Sequence, residues 1–251
     1  MSSDIWTRCA GATRLAALDA SPWRVVEAQH LVSTRKLVDS AAEQEVLEDL
    51  LDGAKPPDPA AGRRHYLLST PFRYPPLPWG SRFGGRQERG IWYGADTVRT
   101  ALAETAYYRL LFLEGTAADL PALSSEHTVF RVGLRTDRGV DLTRPPFDRH
   151  RDVLASPVDY TATQALGSAM RADGVEVARY RSARDVEGGT ALAVFTPSVF
   201  GRHRPREFES WYVTSTRAAV EMLRRDFFRR DVLRFPRADF LVDGALPRPA
   251  S

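Results

Sequence analysis

Cysteine is almost missing from this sequence: Cys9 is the one thiol in 251 residues. A single cysteine builds neither an intrachain disulfide framework nor a cysteine-based metal cluster. A nucleophilic thiol needs a histidine beside it, and nothing near Cys9 in sequence supplies one. Lysine is scarce too. Lys and Arg total 35, of which only Lys36 and Lys55 are lysines, a bias that a GC-rich coding sequence explains as well as any function. No run approaches the roughly 20 apolar residues that span a bilayer. The opening MSSDIWTRCAGATRLAALDASPW lacks the unbroken apolar core of a signal peptide, so the expected compartment is a reducing cytoplasm. There is no G-x-G-x-x-G, no P-loop and no H-E-x-x-H. The histidines (His30, His65, His127, His150 and His203) are scattered without ligand spacing, so no metal site is expected.

What remains is ordinary globular composition, with 43% hydrophobic and 27% charged residues. The net charge of +3 does not by itself imply nucleic-acid binding. Ser40 and Glu43 form a capping box ahead of Val46, Leu47, Leu50 and Leu51, which predicts a helix. The connector DGAKPPDPAAGRR (52–64) follows, so the chain divides into an N-terminal helical extension (1–62) and a main domain (63–251). Strands are predicted at HYLLS, IWYGA, TVFRVGL (128–134), VEVARY, TALAVFTP and FESWYV. Helices are predicted from Asp96 or Thr97 to about Phe112, over 161–173 and over 215–230. Strands mixed with a few helices, without a βαβ rhythm, predict an α+β fold with a mixed, mainly antiparallel sheet and a few flanking helices.

One stretch asks for an explanation: GSRFGGRQERGIWYGADTVRTALAETAYYR (80–109). It places Arg82, Tyr93 and Glu104 at intervals of 11 residues on a Gly-rich loop, a strand and a helix. The glycines let backbone approach a ligand closely. Tyr93 stands where a strand turns into a helix, a common place for functional groups. Glu104 neighbours Tyr107 and Tyr108 at i+3 and i+4, so it is able to face the sheet. The plainer reading leaves Glu104 in solvent, Tyr93 in the core and Arg82 a surface cation, since charged residues are usually exposed. Trp92, beside Tyr93 on a strand, points to the opposite face and belongs to the core.

The same stretch resembles the RES domain, the toxin half of a bacterial toxin–antitoxin family. In that family a Gly-Arg-aromatic segment precedes a strand tyrosine and a helix reading T-A-L-A-E, and SRFGGRQERGIWYGADTVRTALAE has each part. The resemblance extends over about residues 63–200. It places the family's arginine on Arg82, its tyrosine on Tyr93, its glutamate on Glu104 and its later serine on Ser182 of YRSARDVEGGTALAVF. Two departures are Gly84, where the family has asparagine, and Arg181, where proline is common.

The resemblance implies a fold like that of the ADP-ribosyltransferases and a reaction on NAD as substrate, without a metal. Glu104 would face the positive charge that develops on the ribose, and Tyr93 would stack on nicotinamide. Arg82 would hold the pyrophosphate or a ribose, Ser182 would bond the nicotinamide ribose or carboxamide, and Arg184 and Arg73 are further candidates for phosphate. NAD glycohydrolase or phosphorylase activity is the first expectation, and ADP-ribosyl transfer to a protein the second. A non-catalytic basic module is a third, suggested by ten arginines between Arg202 and Arg237. The implied partner is an Xre-type helix-turn-helix antitoxin. Neither direct nucleic-acid contact nor a membrane is expected.

Overall fold

The computed structural model describes residues 5–28, 64–73, 79–118, 120–226 and 231–248. In chain order it forms α1 (Ile5–Arg8), β1 (Ala16–Ala20), β2 (Trp23–Glu27), α2 (Tyr66–Arg73), β3 (Trp92–Ala95) and α3 (Val98–Gly115). There follow β4 (Leu123–Arg131), β5 (Leu134–Asp141), α4 (Arg151–Leu154), α5 (Thr161–Ala172), β6 (Val177–Arg181) and β7 (Thr190–Val194). The chain ends with β8 (Arg206–Ser215), β9 (Ala219–Arg224) and β10 (Val232–Pro236). The fold is α+β.

The strands share one sheet, ordered β1-β5-β6-β7-β3-β2-β4-β8-β9-β10. Its pairs are antiparallel except β5 with β6. Two short connections shape it. β1 and β2 are separated only by Ser21 and Pro22, yet stand first and sixth in the order, and β5 and β4 likewise flank only Val132 and Gly133. Those strands are therefore two arms of one long hairpin bent at its middle, and the sheet between them has to curl. The Val132 N–H donates to the Pro22 carbonyl at 3.1 Å across the bend.

The inside of the curl collects Leu18, Trp92, Phe130, Leu134, Val177, Leu192 and Phe200, which α2 covers with Leu68 and Phe72. The alternate residues of the same strands, Ala95, Ala178, Tyr180, Ala191 and Ala193, face outward against α5 and the loop carrying Phe83. Farther along that outer face, α3 packs Leu102, Ala106, Tyr107 and Leu110 on Val129, Trp211, Val213 and Met222. Period-2 alternation thus sends Trp92 inward, fully buried, and Tyr93 outward.

Four predicted elements differ. TVFRVGL (128–134) is not one strand: it holds the end of β4, the break at Val132–Gly133 and the first residue of β5. HYLLS is the start of α2, not a strand. Leu68 and Phe72, four apart, give that helix its buried face. Pro71 cannot donate to the Leu67 carbonyl, which instead accepts from the Trp92 indole at 3.3 Å. Within 215–230, residues 219–224 are strand β9. Its Ala, Glu, Met and Leu favour helix, but a Thr216 turn, with the Ala219 N–H on Thr216 Oγ1 at 3.1 Å, folds it back onto β8. The segment before residue 62 contributes β1 and β2 to the sheet, so this part of the expected helical extension is strand. The helix predicted from the Ser40 capping box lies outside the described residues.

Gly167 decides how the loop at 82–84 reaches α5. A Cβ there would stand 1.9 Å from the Phe83 carbonyl oxygen, which cannot yield without moving the loop that carries Arg82. Gly-to-Ala in a helix ordinarily gains about 1 kcal/mol. Here Gly167→Ala should instead destabilise by about 1–3 kcal/mol, the cost of overpacking, read as a lower urea midpoint at unchanged m-value.

Candidate active site

Helix α3 brings Glu104 to the seam between the two outer-face clusters. Thr97, extended at φ −127° and ψ 154°, caps the helix by accepting the Thr100 N–H at 3.1 Å. Ala101, Ala103 and Ala106 are buried around Glu104, and their small side chains let the helix lie close to the strands. Glu104 itself is half-buried.

Across from it, the turn after β6 presents Ser182. Its hydroxyl donates to Glu104 Oε1 at 2.5 Å and accepts the N–H groups of Arg184 at 3.1 Å and Asp185 at 3.2 Å. Two backbone dipoles thus hold the serine oxygen while its proton points at the carboxylate. Asp185 ties this turn to the start of α3. Its carboxylate accepts from Thr100 Oγ1 at 2.8 Å and Arg99 Nη1 at 3.0 Å. The approach is so close that a Cβ on Gly189 would lie 2.1 Å from Thr100 Oγ1.

Two arginines are buried beside this node, Arg82 at 7% exposure and Arg184 at 3%. Arg82 Nη1 donates to the carbonyls of Leu154 at 3.1 Å and Ser156 at 2.9 Å. Arg184 Nη2 donates to the Pro157 carbonyl at 2.8 Å. Both reach the Tyr160 hydroxyl, at 3.4 Å from Arg82 and 3.3 Å from Arg184. Arg82 also lies over the Tyr160 ring at 4.4 Å, and Arg184 over the Tyr107 ring at 3.6 Å. Arg184 Nη1 is buried with no hydrogen-bond partner. Neither guanidinium has a carboxylate partner among the described residues. A buried cation left without an anion is costly, so an anionic ligand entering here would be favoured.

Tyrosines complete the walls. The Tyr93 hydroxyl pairs with Ser81 Oγ at 2.9 Å and accepts the Phe83 N–H at 3.2 Å, which fixes the loop carrying Arg82. The Tyr93 ring meets Tyr180 edge-on at 6.4 Å. Burial pushes the Tyr93 phenol up to about 12, against the pull of its hydrogen bonds and of Arg82. Burial likewise pushes Tyr107 up to about 12. Tyr180 is raised by burial and, after it, by the charge of Glu104. All three stay neutral at physiological pH.

The structure brings together Arg82, Tyr93, Glu104, Ser182 and Arg184, but not Arg73. Ser182 touches Glu104 and the Arg184 backbone, Arg82 joins Arg184 through Tyr160, and Tyr93 anchors the Arg82 loop. Arg82 donates three hydrogen bonds to the 154–160 segment, whereas Arg184 Nη1 has no partner. Arg73 lies on α2, which packs on the opposite side of the sheet with Trp92. Cys9 is buried, its thiol 3.7 Å from the Pro146 carbonyl. Sequence reasoning missed Tyr160, Tyr180 and Asp185. Asp185 and Gly189 stand in the same turn motif as Ser182, but Tyr160 has no local signal because its partners lie 24 and 78 residues away. Among the described residues, no three His, Cys, Asp or Glu side chains converge as metal ligands.

The raised phenols predict a pH dependence. The unfolded chain ionises its tyrosines near pH 10, while Tyr93 and Tyr107 resist to about 12. The folded state then holds more protons, so stability falls as pH rises through that window and is unaffected by these groups below it. Urea unfolding between about pH 9 and 11 should show that fall, shallower in Tyr93→Phe.

With this geometry in place, comparison with known proteins assigns the chain: it belongs to the RES domain family, whose sequence model matches residues 56–221, more than half of its length. No curated protein matches it. Among solved structures it is similar to the M. tuberculosis MbcT-MbcA toxin-antitoxin complex, at 13% identity and a TM-score of 0.47, over 83% of this chain and 92% of that one.

Proposed function

We propose that this RES-domain protein breaks the nicotinamide–ribose bond of NAD, and that its activity in the cell is NAD depletion. The observation that carries the reading is the Glu104 carboxylate, held at 2.5 Å by Ser182 beside a buried Arg184 with an unpartnered N–H. NAD offers a charge to each: its pyrophosphate is an anion for a guanidinium fork, and its nicotinamide ribose becomes cationic during cleavage.

When the C1′–N bond breaks, its electron pair returns to the pyridinium nitrogen, and neutral nicotinamide leaves. The ribose is left as an oxocarbenium-like cation. Glu104 stabilises that charge, in a setting where low dielectric magnifies the attraction. Ser182 holds one carboxylate oxygen in place, so little reorganisation remains to be made at the moment of cleavage. Water or phosphate then bonds to C1′; with water, a proton is released to solvent and ADP-ribose results. The tyrosine faces, neutral at working pH, provide stacking surface for the nicotinamide and exclude competing water.

The family resemblance further supports control by an antitoxin, of the Xre helix-turn-helix type, since an enzyme that consumes NAD harms its own cell unless restrained. A segment seated over residues 80–93 and 181–185 would compete with NAD.

Purified protein is incubated with NAD and free nicotinamide is followed. The wild type should release it, with ADP-ribose as product in phosphate-free buffer. Glu104→Gln should lose about 10²–10³ of the rate, the cost of one transition-state stabiliser, at unchanged melting temperature. Label from NAD fixed on protein, with no free ADP-ribose, would replace hydrolysis by ADP-ribosyl transfer. No nicotinamide release with or without phosphate or added cell lysate would overturn the reading.

A further inference from the structure

A second basic concavity lies at the bend of the long hairpin and shares no residue with the Glu104 site. It encloses about 390 Å³ and is lined by Arg131, Arg135, Arg202, Arg204 and Arg206 against two acids, Asp19 and Glu207. Five guanidiniums thus arrive from three segments: the end of β4, the start of β5, and the approach to β8. Only Arg131 is paired, at 3.4 Å to Glu207. The other four make no ion pair or hydrogen bond among the described residues, and Asp19 stands opposite Arg135 in the β1–β5 register without bridging to it. The bend supplies the depth. A Cβ on Gly201 would meet nothing within 4 Å, and one on Gly133 only Ser21 Oγ at 3.9 Å.

The pairing of β4 with β8 adds like charge to this corner. Arg131 and Arg206 stand directly opposite each other across β4 and β8, where like charges repel. Glu207, next in sequence, is the extra residue of a bulge in that pairing, with a left-handed backbone at φ 49°. Five converging guanidiniums, four of them without an ion pair among the described residues, describe a site completed by an anion.

We propose that this corner binds a short polyphosphate chain, inorganic or carried by a nucleotide. Guanidinium forks match phosphate oxygens bidentately, and several converging forks suit several adjacent phosphates. The volume falls in the range of small-ligand sites, about 300–1,000 Å³. No aromatic ring lines it, so recognition rests on phosphate rather than on a base. A nucleic-acid backbone would need a basic track running beyond the concavity, whereas here the two acids stand among the arginines.

Calorimetric titration of the full chain with inorganic tripolyphosphate tests this, at about 50 mM salt to limit screening. One equivalent should bind. Arg135→Gln with Arg204→Gln should weaken it about tenfold or more, from lost charge-assisted hydrogen bonds, while Arg184→Gln leaves it unchanged. The single variant Arg202→Gln gives a smaller loss and serves should the double variant unfold. NAD cleavage by the corner variants should equal wild type, so this result stands apart from the fate of the proposed NAD activity. ATP arms separate the sources: affinity equal to tripolyphosphate points to the chain alone, tighter affinity to a nucleotide, and either supports the site. Absent binding, binding indifferent to the arginine substitutions, or a preference for duplex DNA that grows with its length would overturn it.

Discussion

The hydrogen bond from Ser182 to Glu104 is the constraint on which the site depends, because it fixes the carboxylate itself where the turn after β6 meets helix α3. Helix α3 alone would leave Glu104 free to rotate toward solvent. The turn after β6 alone would leave Ser182 to cap its own backbone. Joined, they lock each other, and the surrounding structure reads as support for that lock. Asp185 clamps the turn to Thr100 and Arg99, Gly189 leaves room for the clamp, and the Thr97 cap sets where the helix begins. A hydroxyl bonded to two backbone N–H groups on one side and a carboxylate on the other is oriented before any ligand arrives, which is what electrostatic preorganisation requires.

Around that lock the protein buries one acid, Asp185, paired with Arg99, and two cations, Arg82 and Arg184, that have no carboxylate partner among the described residues. Arg82 and Arg184 are held by carbonyls, a shared phenol and two aromatic faces, none of which carries a full negative charge. Arg82 gives three hydrogen bonds to the 154–160 segment and so ties down Tyr160, which Arg184 also reaches. Arg184 retains the unmet N–H and is the better candidate for direct contact with an anion. This reverses the emphasis that the sequence resemblance placed on the two residues, and the reason is geometric. The Gly-rich loop delivers Arg82 under the neighbouring segment, whereas the turn after β6 delivers Arg184 beside Glu104.

Local signals carried part of this. The strand at Trp92, the helix from Thr97 and the strand–turn–strand around Ser182 were legible because each has its own periodicity and punctuation, and Trp92 could be sent to the core from alternation alone. HYLLS failed because five residues are too few to separate strand from helix, and Pro71 argued against a helix whose orphaned carbonyl is in fact rescued by Trp92. Residues 219–224 failed in the opposite direction, since their helix-forming composition yields to pairing on both edges, with β8 and β10. Tyr160 was invisible for a different reason: it matters only through partners distant in sequence. The curl of the sheet was equally hidden: Val132–Gly133 falls inside a stretch that alternates like one strand, and only the sheet order shows that the strands on either side of it, and of Ser21–Pro22, stand far apart.

The most direct measurement of the central claim is a crystal structure of the Glu104→Gln variant at saturating NAD, where cleavage is slowed enough for the intact dinucleotide to persist. The account predicts the nicotinamide ribose beside residue 104 and Ser182, an anionic group of the dinucleotide on the free N–H of Arg184, and the nicotinamide against a tyrosine face. NAD bound elsewhere on the protein, with this pocket left to solvent, would contradict it.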